Sequence, residues 1–331
     1  MTLSKLAKLA NVSVSVVSKA FSGKGEVSEE LREHVFAVAR EHGCFQQFYH
    51  VPYDRPVIAV IIPEAISQAY IRYVEALKQK IQESGCTMLL SISNFDPDLC
   101  SDLIRYYTTH SKVDGLIVVD SRIIEFPPLG STATVILGAT ESDLPQGVFI
   151  SSSFEDGVSE LLHTLYVRGH RRIAFVGDQL TVSKGERIQK QLREFGITPS
   201  PSFFINSHER FEAAGIDGVE RLWTLDEKPT AIIGSYGYVT KGILSQLTAR
   251  GIRVPHDVSV VSLNGDPPPL HDTLDVTTVL TRTEHICSLA METLLERIKT
   301  NTPNTRLHIK VPAIVHHGNT VCDLRGHDRI Q

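Results

Sequence analysis

Cysteine is sparse and unpaired in this sequence: Cys44, Cys86, Cys100, Cys287 and Cys322 are scattered, odd in number and never spaced as CxxC. That pattern argues against a disulfide framework or a cysteine zinc site and fits reduced thiols in a cytoplasmic protein. Long apolar runs are missing as well. The longest, Val57 to Ile62, is far short of the roughly 20 residues that span a bilayer, so no membrane association is expected. The N-terminus carries lysines but no apolar h-region, and no secretory signal is expected. Nor is there a general excess of positive charge: 33 Lys and Arg against 38 Asp and Glu leave −5, which argues against a basic nucleic-acid coat. His163 stands alone, and the adjacent His316 and His317 would point to opposite faces of a strand, so no metal site is expected. No glycine-rich phosphate loop follows Val57–Ile62, and no Ser-His-Asp or paired-carboxylate spacing stands out. Neither a cofactor nor an enzymatic activity is therefore expected.

What the chain does have is enough apolar residue for a proper core, 42% hydrophobic over 331 residues, a length that suggests two to three domains. Its charge is also uneven. Residues 1 to 25 hold Lys5, Lys8, Lys19 and Lys24 and no acid, which leaves −9 on the rest. A short basic end on a large acidic body hints at a grafted nucleic-acid-binding module, although four lysines also make an ordinary solvated face.

Residues 1 to 43 read as three short helices. Thr2 is placed to cap the first, which shows Leu3, Leu6, Ala7 and Ala10 on one side. Asn11-Val12 reads as a tight turn, asparagine being one of the few residues that accept a left-handed backbone. Ser13 can cap a second helix through Phe21, and Ser28 a third with Glu29 and Glu30 in its first turn. Pro52 and Pro56 then forbid a continuous helix. From Val57 onward strands and helices alternate. Strand-like runs are Val57–Ile62, Thr87–Ile92, Gly115–Val119, Val135–Leu137, Ile173–Val176, Ala231–Gly234 and Val258–Leu263. Between them lie helical patterns at Ala69–Ser84, Asp98–Thr109, Glu155–Arg168, Ser183–Phe195, Glu209–Leu225 and Tyr238–Arg250. Such alternation implies an α/β fold of parallel sheets covered by helices. Some 275 residues are too many for one sheet of ordinary size, and the series falls into two halves near residue 152.

Two helices joined by a tight turn, the second about eight residues long, form a helix-turn-helix arrangement. The residues left facing outward on the second helix are Val14, Ser15, Ser18 and Lys19. Spacing alone leaves an ordinary three-helix cap equally open. The residues themselves carry a resemblance. Thr2-Leu3-x-x-Leu6-Ala7-x-x-Ala10-x-Val12-Ser13-x-x-x-Val17-Ser18-Lys19, then Val27-Ser28-x-x-x-Arg32-x-x-Val35, resembles the head-piece of the lactose-repressor (LacI/GalR) family. Val113-Asp114-Gly115-Leu116-Ile117, Arg168-Gly169-His170-Arg171-Arg172-Ile173-Ala174, Asp257-Val258-Ser259-Val260-Val261 and Thr277-Thr278-Val279 follow in the family's order.

The resemblance implies a helix-turn-helix head over residues 1–45, a hinge or linker over 46–56 and a two-lobed core over 57–331. The core would consist of two doubly wound parallel sheets like those of periplasmic binding proteins. Lobe 1 would comprise about 57–152 and 281–309, and lobe 2 about 153–280 and 310–331. Carried over by position, Val14, Ser15 and Lys19 fall on base-reading sites. Lysine can donate to guanine O6 or N7, and valine can press on a thymine methyl. Thr2, Leu3, Ser13, Ser18 and Ser28 fall within the same DNA-binding head, the serines at phosphate-positioning sites; Ser13 and Ser28 are read as helix caps in addition.

Departures from the pattern shape the remaining expectations. The family's Leu-Gly-Tyr-x-Pro-Asn is His42-Gly43-Cys44-Phe45-Gln46-Gln47 here, and the segment that normally forms a hinge helix is about three residues short and contains Pro52. Residues 46 to 56 are therefore expected to form no stable helix, and DNA bending to be modest. Arg187 falls where the family places an arginine that clamps effector hydroxyls or carboxylates, with a plain surface arginine as the alternative. Tyr236-Gly237 replaces an Asn-Asp pair, and Asn264 replaces an aspartate. Tyr70, Phe154, Arg187, Tyr236 and Asn264 are thus the candidate effector residues, for a sugar or sugar derivative that bears an anionic group. Each aromatic has core packing as its alternative.

The expected protein is a cytoplasmic, homodimeric repressor of a pseudo-palindromic double-stranded DNA operator, controlled by a small-molecule effector. The polar Asp323–Gln331 end carries no heptads, so a coiled-coil tetramer is not expected. The alternatives are a regulator whose core binds a partner protein instead of a small molecule, and an enzyme built on the same core.

Overall fold

A computed structural model describes the chain apart from residues 23–24, 49–53, 112, 120–126, 139–146, 264–273, 303 and 326–331 and the side chain of Gln46. The expected Asn264 and Pro52 lie outside the described residues. The chain separates into two compact units, Met1–Pro56 and Val57–Gln331.

The first unit holds α1 (Leu3–Leu9), α2 (Val14–Ser22), α3 (Glu29–Glu41) and the single turn α4 (Phe45–Phe48). Each of the first three helices starts where a hydroxyl accepts from an otherwise orphaned amide. Thr2 Oγ1 accepts from Lys5 N, Ser13 Oγ from Val16 N and Ser28 Oγ from Leu31 N, each at 3.3 Å. Asn11 takes φ 51° between α1 and α2, as its residue type allows. Leu6, Ala7, Ala10, Val17, Ala20, Phe21, Val35, Phe36 and Ala39 close a small core.

The linker differs from expectation at its start. Phe45 and Phe48, three residues apart on α4, land on one side of the turn and join the aromatic core. Phe45 lies 5.1 Å from Phe36 edge-on, and Phe48 lies 5.7 Å from Phe21. Residues 46–48 are therefore helical and belong to the head rather than to a linker, because two rings at helical spacing find an apolar socket.

In the second unit the chain builds two six-stranded sheets. The first has the order β11-β5-β4-β3-β1-β2, from β1 (Val57–Ile62), β2 (Thr87–Ile92), β3 (Gly115–Val119), β4 (Ala133–Leu137), β5 (Val148–Ser153) and β11 (Leu307–Pro312). The second has the order β12-β10-β9-β8-β6-β7, from β6 (Ile173–Asp178), β7 (Phe204–Ser207), β8 (Ala231–Gly234), β9 (Ser259–Leu263), β10 (Thr277–Leu280) and β12 (Ile314–His316). Among the described residues every pairing is parallel except β10 with β12. Seven of these strands coincide with the apolar runs in the sequence; β5, β7, β10, β11 and β12 do not. The two parallel-dominated sheets bear out the expected fold class.

Between the strands run α5 (Gln68–Glu83), α6 (Pro97–Arg105), α7 (Phe154–Val167), α8 (Val182–Glu194), α9 (Phe211–Leu222) and α10 (Gly237–Ala249), and α11 (Thr283–Thr300) follows β10. A π-turn, Tyr106–His110, extends α6. Buried residues form separate apolar layers on each side of each sheet. Where α9 crosses α10 the backbones nearly touch: a Cβ on Gly215 would run into the Val239 carbonyl oxygen, and one on Gly242 into that of Glu212. Only glycine permits that approach.

The chain passes between the lobes three times, after β5, after β10 and after β11. The last passage follows Pro312 rather than Ile309, because Lys310–Pro312 continue the parallel register on Ser151–Ser153. No helix among the described residues is long and apolar enough to cross a membrane.

His170, fully buried at the base of lobe 2, ties the last described segment to the sheet. Its Nδ1 lies 3.1 Å from Thr230 Oγ1, and its Nε2 lies 3.2 Å from both the Cys322 carbonyl oxygen and Ser259 Oγ. Burial pushes its pKa below the ordinary histidine value. The unfolded chain therefore takes up a proton that the folded chain resists. The stability this group supplies is present above about pH 6.5 and is lost as pH falls through the folded pKa. Lowering pH from 7.5 to 5.5 should reduce the unfolding temperature by a few degrees more in the wild type than in His170→Gln. Equal pH dependence in both would remove His170 as the cause.

Candidate DNA-binding face and interlobe cleft

In the head, α2 buries Val17, Ala20 and Phe21 and leaves the opposite side bare. Val14 is 44% exposed, an unusual setting for a valine, and Ser15, Ser18 and Lys19 are exposed beside it. Positions separated by four residues share a helix face, so the four form one stripe along α2. The stem of Lys19 lies along Gly25, which takes φ 97°, a conformation that suits glycine and leaves room for the lysine methylenes. Thr2, Ser13 and Ser28 sit at helix starts, exposed, with their hydroxyls engaged as caps; Leu3 opens α1 and is half-buried on the head core. A short helix with an apolar inner face and a small-residue outer face ending in an amine has the shape and donors for a major groove.

In the core, a cleft with a volume of about 1100 Å³ lies between the lobes. It is lined at the carboxyl ends of strands from both sheets, by Glu64 beyond β1, Phe95 beyond β2, Asp178 closing β6 and Tyr236 beyond β8. This is where ligands gather in open α/β sheets. Tyr70, Phe154, Arg187 and Tyr236 all line it, so four of the five expected effector residues are brought together. Tyr70 packs edge-on against Phe95 at 5.8 Å, and the Lys184 ammonium stands 5.8 Å from the Phe154 ring. Arg187 is about half exposed, with Nη1 3.6 Å from Glu155 Oε1, too long for a tight hydrogen bond. The hydroxyl oxygens of Ser67 and Ser152, also lining the cleft, are buried and have no partner among the described residues.

Tyr236 does less for a ligand than its position implies. Its hydroxyl donates to Asp178 Oδ2 at 2.5 Å and accepts from Phe211 N at 3.1 Å. Burial, together with donation to Asp178, holds its pKa far above the ordinary phenol value. Its hydrogen-bonding capacity is spent inside lobe 2, and only the ring remains as a wall. Asp178 is 1% exposed and also accepts from Leu180 N and Thr181 Oγ1. Asp178, Glu64 and Arg210 escaped the sequence reading. The first is legible in retrospect as an acid closing an apolar strand ahead of Thr181, a capping pair; the other two have no local signature. Among the described residues no group of three or more His, Cys, Asp or Glu could hold a metal.

Residues 2–45 match the model of bacterial regulatory proteins of the lacI family, and residues 162–321 match the periplasmic binding protein-like domain. The ribose operon repressor of Haemophilus influenzae is 25% identical over 325 residues, 95% of this chain and 97% of that protein. The lac repressor dimer bound to operator and the anti-inducer ONPF shares the fold with a TM-score of 0.66 at 20% identity, covering 97% of this chain and 99% of that one. A complex of the transcriptional regulator CelR with cellobiose gives 0.65 at 22%, with the same coverage. A helix-turn-helix head joined to a two-lobed, periplasmic-binding-protein-like core defines a DNA-binding transcriptional regulator. The chain carries the head of the lacI family of bacterial regulatory proteins, followed by a periplasmic-binding-protein-like domain.

Tyr236→Phe keeps the ring but leaves Asp178 Oδ2 and Phe211 N each short of a partner. It should destabilise the core by about 1–3 kcal/mol, seen as a lower thermal unfolding midpoint. An unchanged midpoint would mean that the hydroxyl contributes nothing to the fold.

Proposed function

We propose that this regulator is a cytoplasmic repressor that binds a pseudo-palindromic operator as a homodimer and is controlled by a sugar or sugar derivative held between its lobes. The observation that carries the DNA reading is the bare stripe of Val14, Ser15, Ser18 and Lys19 on α2. Lys19 reads a guanine edge, Val14 presses on a thymine methyl, and Thr2, Leu3, Ser13, Ser18 and Ser28 fix the head on the backbone. Pairing of two copies is supported by β2, an edge strand with Leu89, Leu90 and Ile92 each about 40% exposed. An apolar sheet edge of that kind needs a cover.

For the effector, the support is a large cleft that combines aromatic walls with buried hydroxyls, at Ser67 and Ser152, that have no partner among the described residues. Formal charges among the described lining residues balance, five basic (Arg72, Lys184, Arg187, Arg210, Lys310) against five acidic (Glu64, Glu155, Asp156, Asp178, Glu186). A polyhydroxyl compound suits such a mixed lining, and Arg187, only loosely compensated by Glu155, receives an anionic substituent. Tyr70 and Phe154 provide flat surfaces.

Lys19→Ala should weaken operator binding by about 1–3 kcal/mol while leaving most binding to random DNA intact. Equal losses on both, in titrations at one salt concentration, would make Lys19 a phosphate contact instead. For the cleft, calorimetry against neutral sugars, sugar acids and sugar phosphates identifies the ligand. Arg187→Ala should then cut affinity for it at least about tenfold, with operator binding by the ligand-free protein unchanged. A neutral hexose as the best ligand would count against the anionic anchor.

A further inference from the structure

The cleft is bridged by a side-chain pair with one partner on each lobe. Glu64 follows Pro63 at the carboxyl end of β1, and Arg210 immediately precedes α9. Arg210 Nη2 donates to Glu64 Oε1 at 2.9 Å and Nη1 to Oε2 at 3.0 Å. Two parallel bonds fix orientation as well as distance. The Glu64 side chain is 8% exposed and that of Arg210 36%, so solvent ions screen the pair less than a surface one. Hydrogen bonding to Glu64 also raises the pKa of the guanidinium above its ordinary value.

Each partner has a firm mounting. The Arg210 guanidinium lies over the Phe211 ring, 4.5 Å from its centre. The adjacent amide, Phe211 N, donates to the Tyr236 hydroxyl, which in turn donates to the buried Asp178. Phe211 has φ 58°, a left-handed conformation that an aromatic residue keeps only where surrounding contacts over-determine it. On the other lobe, Glu64 continues directly from a strand whose Ile58, Val60 and Ile62 are fully buried. Neither carboxylate nor guanidinium can drift far without its lobe.

We propose that the Glu64–Arg210 pair is an interlobe latch, which holds the two lobes together across the cleft and must break before they can part. The inference deepens the effector-site reading and rests on it for what the cleft is for, but its test needs no ligand. A hinge moves only as far as differences in interaction between its states dictate. This pair belongs to the joined state alone, since separating the lobes separates its partners. The chain thereby biases its own core toward the joined state, and a ligand that needs the lobes apart binds against that bias.

Hydrogen exchange on the full-length protein tests the latch in a cycle of Glu64→Gln, Arg210→Gln and the double variant. Each single change should speed exchange in peptides covering residues 63–70 and 207–215 by roughly tenfold, between the effects of exposed and buried pairs. Peptides from β3 and β8 should not change. The double variant should exchange no faster than the singles, because the second change removes a group already without its partner. Three results would overturn the latch: unchanged exchange in both segments, faster exchange spread through β6 and β8, or additive effects in the double variant. None of them depends on whether the cleft takes a sugar, so failure of the latch and failure of the effector reading remain separate results.

Discussion

Parallel strands put all their carboxyl ends on one side of a sheet, and a chain that passes three times between two such sheets turns those ends toward a common space. The passages after β5, β10 and β11 impose this on the core, and the cleft residues follow from it. Glu64, Phe95, Asp178 and Tyr236 are far apart in sequence, yet each comes just at or beyond the last residue of its strand. The central strands β1, β3, β4, β6, β8 and β9 are buried on both faces, so the polar residues that they offer a ligand gather where their apolar runs stop.

The polar groups at the strand ends are organised by one another. Asp178 is nearly inaccessible, and three donors satisfy it. Through Tyr236 it holds the backbone amide of Phe211, and Phe211 carries Arg210 beside it. A buried carboxylate is expensive unless its partners are in place, so this corner of lobe 2 behaves as a unit. Arg210 then reaches Glu64 on the other lobe, linking a local hydrogen-bond chain to the relative position of two domains.

The head solves a different problem. Fewer than fifty residues give a small core, and the aromatic cluster of Phe21, Phe36, Phe45 and Phe48 supplies much of its apolar area. Recruiting Phe48 beside Phe45 draws residues 46–48, the first of the expected linker, into the head. With its inner side committed to that core, α2 can present small side chains outward, which lets a helix approach base edges closely.

Local pattern in the sequence was enough for much of this. Continuous apolar runs marked β1, β3, β6, β8 and β9, because strands covered on both faces have no polar alternation. Hydroxyl residues before helical patterns marked the starts of α1, α2 and α3, because capping is settled within three residues. The stripe on α2 followed from helical spacing. Strands whose ends face the cleft or whose residues alternate, such as β5 with its three serines and β11 with His308 and Lys310, had no such signal. The pairings that organise the cleft were equally hidden. Nothing near Glu64 announces Arg210, 146 positions later, and nothing in Tyr236 reveals that its hydroxyl is already consumed by Asp178 and Phe211. By itself the sequence determined which segments are helix and strand wherever burial leaves a period, and which side of α2 is free, since both depend on neighbours within a few residues. Only the tertiary structure decided which charges meet and which hydroxyls remain unpaired, because those depend on where three passages between two sheets bring distant strand ends together.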